Sequence, residues 1–191
     1  MAAALLQSAP RLSADPSDGA LVAAALRGDG EAFAELVTRY ERPVYHLAYR
    51  TLKDAEEARD ITQESFLRAY RSLRSFRPSA KFSTWIFAIA YHACCDHLKR
   101  LRRQSGNELP DHPDSAPGPE HQVIALDQAE RLRAAIDSLP EKYRSVITLY
   151  HLQGRQYDEI ARVLDLPMGT VKTHLFRAKE QLRRILRGTI E

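Results

Sequence analysis

Residues 157–187 read YDEIARVLDLPMGTVKTHLFRAKEQLRRILR, and this stretch decides the fold of the C-terminal part of the chain. Its apolar residues recur three and four positions apart, which predicts one helix over residues 157–164 and a second from Met168 to about Arg187. Pro167 ends the first helix, because a residue that precedes proline is disfavoured in the helical conformation. The stretch therefore predicts two helices joined by a short turn.

The second of these helices separates a packing face from a basic face. Val171, Leu175, Ala178 and Leu182 repeat at i, i+4, i+7 and i+11 and predict its buried stripe. This division is typical of a helix-turn-helix, whose second helix enters the major groove and reads base edges. A helical hairpin with a solvated basic face is the alternative. The residues that we expect on the DNA face are Lys172, Thr173, His174, Phe176, Arg177 and Lys179.

The net charge of +3 is distributed unevenly over the 191 residues. Residues 67–103 carry 9 basic residues and 1 acidic residue (+8), and residues 142–191 carry 10 basic and 5 acidic residues (+5). Residues 1–66 (7 basic, 11 acidic) have a net charge of −4, and residues 104–141 (2 basic, 8 acidic) have a net charge of −6. Two separate basic blocks predict two contacts with nucleic acid, because phosphate neutralisation needs clustered Lys and Arg. The alternative is a set of solvated helix faces, which usually mix both signs.

The rest of the chain predicts further helices and no strand. Pro43 should kink or restart the first of them, because its ring removes a backbone donor, and Ser83 should cap the third. The helices expected from the spacing of apolar residues are 33–52, 54–73, 83 onward, 126–136 and 140–152.

A polar segment divides the chain into two parts. Four of the ten prolines fall between 110 and 119, and residues 104–120 contain no Lys or Arg. Such a segment cannot bury enough apolar surface to order itself, so we interpret 104–122 as a linker. The predicted fold class is all-α, with two small helical domains joined by a Pro-rich acidic linker. The domains are 18–103 and 123–191, the second contains the helix-turn-helix, and residues 1–17 form a flexible tail.

Two further groups of residues lie in the first domain. Asp60, Gln63, Glu64 and Leu67 form a polar face opposite the predicted core stripe, where charge-assisted hydrogen bonds could dock another protein; a solvated face is the alternative. Aromatic residues between 76 and 91 precede a run of cations, a combination that suits single-stranded DNA. Aromatic residues at helical spacing also occur in cores, which is the alternative there. The cations are Lys99, Arg100, Arg102 and Arg103.

The order and spelling of these segments resemble the extracytoplasmic-function (ECF) sigma factors, the smallest branch of the bacterial sigma family. Each matching segment is weak alone, but five in this order, with an acidic linker before the fourth, are highly specific. The segments are GDGEAF at 28–33, DITQESF at 60–66, FSTWI at 82–86, LPEKYR at 139–144 and GTVKTHL at 169–175.

The resemblance implies a cytoplasmic protein that lends promoter recognition to RNA polymerase and performs no chemistry itself. It implies core RNA polymerase, promoter DNA and an anti-sigma factor as partners, with no cofactor, metal, small-molecule substrate or membrane insertion. By the resemblance, Asp60, Gln63, Glu64, Phe66 and Leu67 grip the clamp helices of the largest polymerase subunit.

The resemblance also assigns the two DNA contacts. The helix-turn-helix would read the −35 element. Many relatives carry Arg-Asn where this chain has Tyr91-His92, and many carry Arg at the position of His174, which alters the expected base preference at both elements. The basic stretch 99–103 would hold the duplex beside the −10 element. The residues implied for recognition and melting of the −10 element are Phe76, Arg77, Ser79, Lys81, Trp85, His92, Lys99, Arg100, Arg102 and Arg103.

Two other classes of protein fit the sequence less well. A helix-turn-helix regulator that does not bind polymerase would leave residues 54–103 unexplained. A metalloprotein would need about four ligands, and His92, Cys95 and His97 do not make a convincing set. The two cysteines, Cys94 and Cys95, are neighbours and predict no disulfide framework, and the sequence leaves their redox role open.

Overall fold

The computed structural model describes residues 16–104 and 128–187, and every regular element in that part of the chain is helical. The all-α prediction is therefore confirmed. A 3₁₀ turn at Leu73–Ser75 follows the third helix, and a π-helical turn at Thr148–Leu152 follows the sixth. The described part of the chain contains eight α-helices: α1 (Asp18–Leu26), α2 (Gly30–Leu52), α3 (Ala55–Ser72), α4 (Phe82–Gln104), α5 (Gln128–Asp137), α6 (Glu141–Ile147), α7 (Tyr157–Leu164) and α8 (Met168–Arg187).

Two predicted segments cannot be compared with the structure. The tail lies outside the described residues except for Pro16 and Ser17, and the linker except for Gln104, the last residue of α4. The start of the helix expected at 126 also lies outside them, and α5 is described from Gln128.

Aspartate side chains begin α2 and α3. The Asp29 carboxylate accepts hydrogen bonds from the backbone N–H groups of Glu31 and Ala32, at 3.0 and 3.2 Å. Asp54 accepts in the same way from Glu56 and Glu57, at 2.8 and 3.0 Å. These carboxylates satisfy donors that have no partner within the helix.

Two details differ from the sequence predictions. The α2 helix continues through Pro43 rather than restarting there. Leu36 precedes the proline and Val44 follows it, both fully buried, so packing along the whole face outweighs the lost hydrogen bond. Ser83 does not cap α4, which begins at Phe82; the Ser83 side chain is instead buried in the first helical turn.

The predicted core stripes of α3 and α8 are confirmed. Ala58, Ile61, Ser65 and Ala69 on α3, and Leu73 at the start of the 3₁₀ turn that follows it, are all buried. On α8, Val171, Leu175 and Ala178 are between 0% and 3% exposed, and Leu182, the last residue of the stripe, is half-buried against the same core.

Both halves of the molecule share one continuous apolar core. The buried cluster runs from Leu36 on α2 and Phe87 on α4 to Ile160 on α7 and Val171 on α8. The main contacts between the halves join α4 to α7 and α2 to α6. This packing places the loop before α4 beside the first turn of α7. Two polar contacts join the loop and the start of α4 to this part of the second half.

A buried arginine joins the two halves at one point. Arg144 on α6 donates from Nε to the Arg50 carbonyl of α2 at 2.6 Å and from Nη1 to the Leu139 carbonyl at 2.8 Å. Asp137 receives two cations of the first half, Arg50 Nη1 at 2.9 Å and Lys53 Nζ at 2.8 Å. Burial lowers the pKa of the Arg144 guanidinium, and the negative charges of Glu141 and Asp137 oppose this shift only in part.

Candidate nucleic-acid interface

The turn between α7 and α8 has the geometry of a helix-turn-helix. Asp165 ends α7 in the left-handed conformation (φ 52°), which aspartate tolerates better than most side chains. Three residues, 165–167, separate the two helices. At the start of α7, the backbone N–H of Gln156 donates to Glu159 Oε2 at 2.8 Å. The short loop brings the two helices close together, and the cap satisfies a backbone donor at the start of α7.

The outward side of α8 carries most of the residues predicted to meet DNA. Lys172, Thr173 and Arg177 are exposed, and Phe176 is 62% exposed. Thr173 donates its hydroxyl proton to the Gly169 carbonyl at 2.9 Å, so its oxygen remains available only as an acceptor for an incoming base or phosphate.

Two of the predicted residues on α8 are partly occupied in packing. The His174 ring stands edge-on to Tyr143, with 5.5 Å between ring centroids. Lys179 Nζ lies 5.3 Å from the centroid of the Tyr150 ring, a cation–π contact. Both side chains are half-buried, so they form the edge of the exposed face rather than its centre.

The aromatic residues near the start of α4 form a cluster within the core. Phe76 is 8% exposed, and its ring centroid lies 5.3 Å from that of Trp85 and 6.0 Å from that of Phe82. Phe76 and Phe82 are therefore core residues, as the alternative interpretation of this aromatic group expects. Trp85 is half-buried against the same cluster. Arg77, Ser79 and Lys81 are exposed on the loop itself.

Side chains of α7 and of the residues just before it contact the loop and the first turn of α4. Lys81 Nζ lies 2.8 Å from Glu159 Oε1, and Arg155 Nη1 donates to Ser83 Oγ at 2.5 Å. Burial acts to raise the pKa of Glu159, but hydrogen bonds from Lys81 and from the Gln156 N–H outweigh it, so the pKa lies below its usual value. While the halves remain packed, Lys81 is therefore neutralised by Glu159. No local sequence signal pointed to Arg155 or Glu159.

His92 is exposed but stands apart from the loop. It lies ten residues beyond the start of α4, about 15 Å along the helix axis. A cleft of about 570 Å³ beside the loop is lined by Pro78, Lys81 and Ser83 among others, and His92 is not part of that lining. The structure thus does not bring His92 together with the loop residues.

The four cations at the end of α4 are all exposed. Lys99, Arg100 and Arg103 line one shallow cleft together with Arg68 of α3, and Glu64 and Asp96 lie in the same cleft. The grouping predicted from the sequence is therefore present as a basic surface with two carboxylates within it.

The polar face of α3 is exposed, with one exception among the predicted residues. Asp60 and Gln63 are exposed, Leu67 is 55% exposed, and half-buried Glu64 accepts from Arg68 Nη2 at 2.6 Å. Phe66, in contrast, is 6% exposed and belongs to the core, so its side chain offers no surface to a partner.

Sequence reasoning missed a neighbour of this face. Tyr70 is 54% exposed and lies three residues after Leu67, so the two side chains extend the same surface. Its ring meets Phe33 with 4.9 Å between centroids. The spacing of three residues between Leu67 and Tyr70 is the sequence signal that could have identified Tyr70 as part of this face.

The two cysteines of α4 have low thiolate character. Burial raises the pKa of Cys94 to about 12 and also raises that of Cys95. A thiol that is rarely deprotonated is a poor nucleophile and a poor metal ligand. Within residues 16–104 and 128–187, no three His, Cys, Asp or Glu side chains are grouped so that they could hold a metal ion. Over the same residues, no helix is long and apolar enough to cross a membrane.

Family models match both halves of the chain. Residues 36–104 match "Sigma-70 region 2", and residues 129–182 match "Sigma-70, region 4". Region 2 followed by region 4 defines an RNA polymerase sigma factor. A helix-turn-helix regulator without polymerase binding is not favoured, because region 2 accounts for the half that such a regulator leaves unexplained.

Relatives over nearly the whole length refine this class. The chain is 38% identical over 172 residues to the ECF RNA polymerase sigma factor SigW of Bacillus subtilis, covering 84% of this chain and 92% of that protein. It is 33% identical to the ECF RNA polymerase sigma-E factor of Escherichia coli, covering 90% and 95%. The chain therefore belongs to the ECF family of RNA polymerase sigma factors.

Two solved structures have the same fold. CnrH, in complex with the cytosolic domain of CnrY, superposes with a TM-score of 0.67 at 24% identity, covering 91% of this chain and 99% of that one. The sigma factor RpoE of Bartonella quintana, in complex with the anti-sigma factor NepR, gives 0.66 at 20% identity, covering 81% and 96%. At these identities the likeness concerns the fold alone.

Proposed function

We propose that this sigma factor uses three surfaces: α3 for core polymerase, the loop 76–81 with α4 for the −10 element, and α8 for the −35 element. The first two adjoin at the cleft that Glu64 and Arg100 share. The observation that carries the proposal is the division of α8, where Val171 and Leu175 are buried while Lys172 and Arg177 are exposed. A helix held by one stripe and exposing cations and a hydroxyl suits the major groove. The domains that contribute these surfaces are 18–103 and 123–191.

Core polymerase is the partner proposed for α3. Asp60 and Gln63 supply acceptors and donors, and Leu67 supplies an apolar anchor of the kind that interfaces bury at their centre. Because Phe66 is in the core, its contribution is to hold the face rather than to touch the partner.

The remaining parts of the proposal follow from family membership. The protein acts in the cytoplasm, where its DNA is, and contributes binding rather than catalysis. An anti-sigma factor is proposed as its regulator, supported by the complexes in which CnrH and RpoE were solved.

Replacing Arg177 with alanine tests the −35 surface. Loss of a contact to a base edge should cost about 1–3 kcal/mol and relax sequence preference at one position. Loss of a phosphate contact should weaken all sequences alike and reduce the salt slope by about 1. Affinity for matched and mismatched −35 sites at several salt concentrations separates the two results. Arg133→Ala, an exposed arginine on α5, is the control. If Arg177→Ala matches that control in both affinity and slope, α8 is not the reading helix.

Substitution of Ser79 and His92 tests the −10 surface. Each alanine variant is expected to impair open-complex formation more than −35 binding. Because His92 lies well along α4 from the loop, the effects should be additive within about 0.5 kcal/mol, as for distant sites. Permanganate reactivity of unpaired thymines measures the melting. Strong coupling between the two changes would mean that both side chains hold the same base, and unchanged melting would remove both from the −10 surface.

A further inference from the structure

His97 lies buried between two charged groups on neighbouring helices. It is 8% exposed on α4, three and four residues after Cys94 and Ala93, which belong to a small buried apolar cluster. Its Nε2 lies 3.2 Å from Glu57 Oε2 of α3, at ion-pair distance though not aligned as a hydrogen bond. Its Nδ1 lies 3.2 Å from Arg100 Nη2, one turn further along α4. The imidazole therefore bridges a carboxylate and a guanidinium.

The chemistry of these partners determines which ring nitrogen carries the proton. A guanidinium can only donate, so Nδ1 must accept from Arg100 with its lone pair. The proton of the neutral imidazole is then on Nε2, which faces the Glu57 carboxylate. A carboxylate next to the N–H of an imidazole makes the other nitrogen a better acceptor, the arrangement that orients histidines in metal sites.

The bridge restricts an arginine whose side chain is otherwise exposed. Arg100 lines the basic cleft with Arg68, Lys99 and Arg103, and the carboxylates Glu64 and Asp96 lie in the same cleft. One guanidinium nitrogen is held by His97, and the other N–H groups remain available for an anion at that cleft. An arginine fixed in advance loses less conformational freedom when it binds a phosphate than a freely rotating one does.

We propose that His97 is a positioning residue that holds Arg100 for a contact with the phosphate backbone of the duplex beside the −10 element. This rests on the proposed function of the α4 cations in DNA binding. His97 itself touches no DNA. The alternative is a histidine that serves only to fill the space between α3 and α4.

Two near-isosteric variants separate the contacts of the two ring nitrogens. In His97→Asn the amide reaches the position of Nδ1 and can accept from Arg100. In His97→Gln the longer amide reaches the position of Nε2, and the acceptor for Arg100 is lost. Both amides are polar and of similar size, so a residue that only fills space should respond alike to both.

The experiment measures the affinity of the holoenzyme, formed from the full chain and core polymerase, for a promoter fragment at several salt concentrations. Arg100→Ala should weaken binding about 5- to 10-fold and reduce the salt slope by about 1. We expect His97→Gln to weaken binding about 3-fold and His97→Asn to remain near the parent protein. Combining His97→Gln with Arg100→Ala should weaken binding no further than Arg100→Ala alone.

The outcomes distinguish this inference from the function on which it rests. If Arg100→Ala changes neither affinity nor slope, the proposed function of Arg100 fails and the inference fails with it. If Arg100→Ala weakens binding but His97→Gln does not, or if His97→Gln has the same effect with and without Arg100, only the inference is overturned.

A spectroscopic measurement covers the case in which a His97 variant does not fold. Imidazole ¹⁵N shifts of the otherwise unchanged chain should report the Nε2–H tautomer at His97. The Nδ1 shift should move in Arg100→Ala, a change at an exposed residue. A proton on Nδ1, or an Nδ1 shift that is indifferent to Arg100, overturns the proposal.

Discussion

Replacement of Asp60 and Glu64 together by lysine is expected to weaken binding to core RNA polymerase by about 100-fold or more, or about 3 kcal/mol. Both side chains lie on the outward face of α3 beside exposed Leu67, and neither belongs to the core. Charge reversal turns an attraction into a repulsion at the same place, which costs more than removal of the charge. Core binding is measured by fluorescence anisotropy of labelled sigma factor, with far-UV circular dichroism to check the helices.

The chain offers a closely matched control for the Glu64 part of this change. Glu64 pairs with Arg68 four residues later, with both side chains nearly half exposed. Glu35 pairs with Arg39 at the same spacing on α2 (Nε–Oε1 2.9 Å), and its side chain is 44% exposed. Arg39 keeps its contacts with the Pro16 carbonyl and Asp18 in Glu35→Lys, so this variant should lose little helix stability and leave core binding intact. Normal binding by the Asp60/Glu64 double variant would place the docking surface elsewhere.

The helices and their buried faces could be predicted from the sequence because they depend on local spacing. Val171, Leu175 and Ala178 on α8 share one side of the helix by their spacing alone, and all three are buried as expected. Prediction was weaker where the local preference and the tertiary packing oppose each other. Pro43 disfavours a continuous helix, yet α2 is continuous, because Val44 and Leu47 have no exposed surface in the core.

The surfaces could be predicted only in part, because position on a helix does not determine what lies above it. Phe66 is adjacent to Leu67 in sequence, but successive side chains on a helix point about 100° apart. Leu67 therefore lies at the surface, where it can anchor a partner, while Phe66 lies in the core. The contacts of Lys81 with Glu159 and of Ser83 with Arg155 join residues more than seventy positions apart. No periodicity or motif encodes such a pairing; it follows from how α4 packs on α7.

Arg144→Met is expected to lower the free energy of unfolding by about 3 kcal/mol, a large loss for a single side chain. Methionine preserves an unbranched chain of similar length but leaves the carbonyls of Arg50 and Leu139 without their donor. Arg144→Lys should lie between the parent and Arg144→Met, because an ammonium group cannot span the same acceptors. The exposed Arg133 is the matched control, and Arg133→Met should stay within about 0.5 kcal/mol of the parent.

The same variant tests whether the two halves unfold together. Arg144 belongs to the second half, whereas Trp85, the single tryptophan of the chain, belongs to the first. Since Arg144 donates to a carbonyl of α2 and one apolar core runs through both halves, Trp85 fluorescence should report the loss caused by a change on α6. In urea, the fluorescence and circular-dichroism midpoints of the parent should coincide, and both should fall in Arg144→Met. If only the circular-dichroism transition moves while Trp85 keeps its midpoint, the Arg144 contact does not couple the halves in solution.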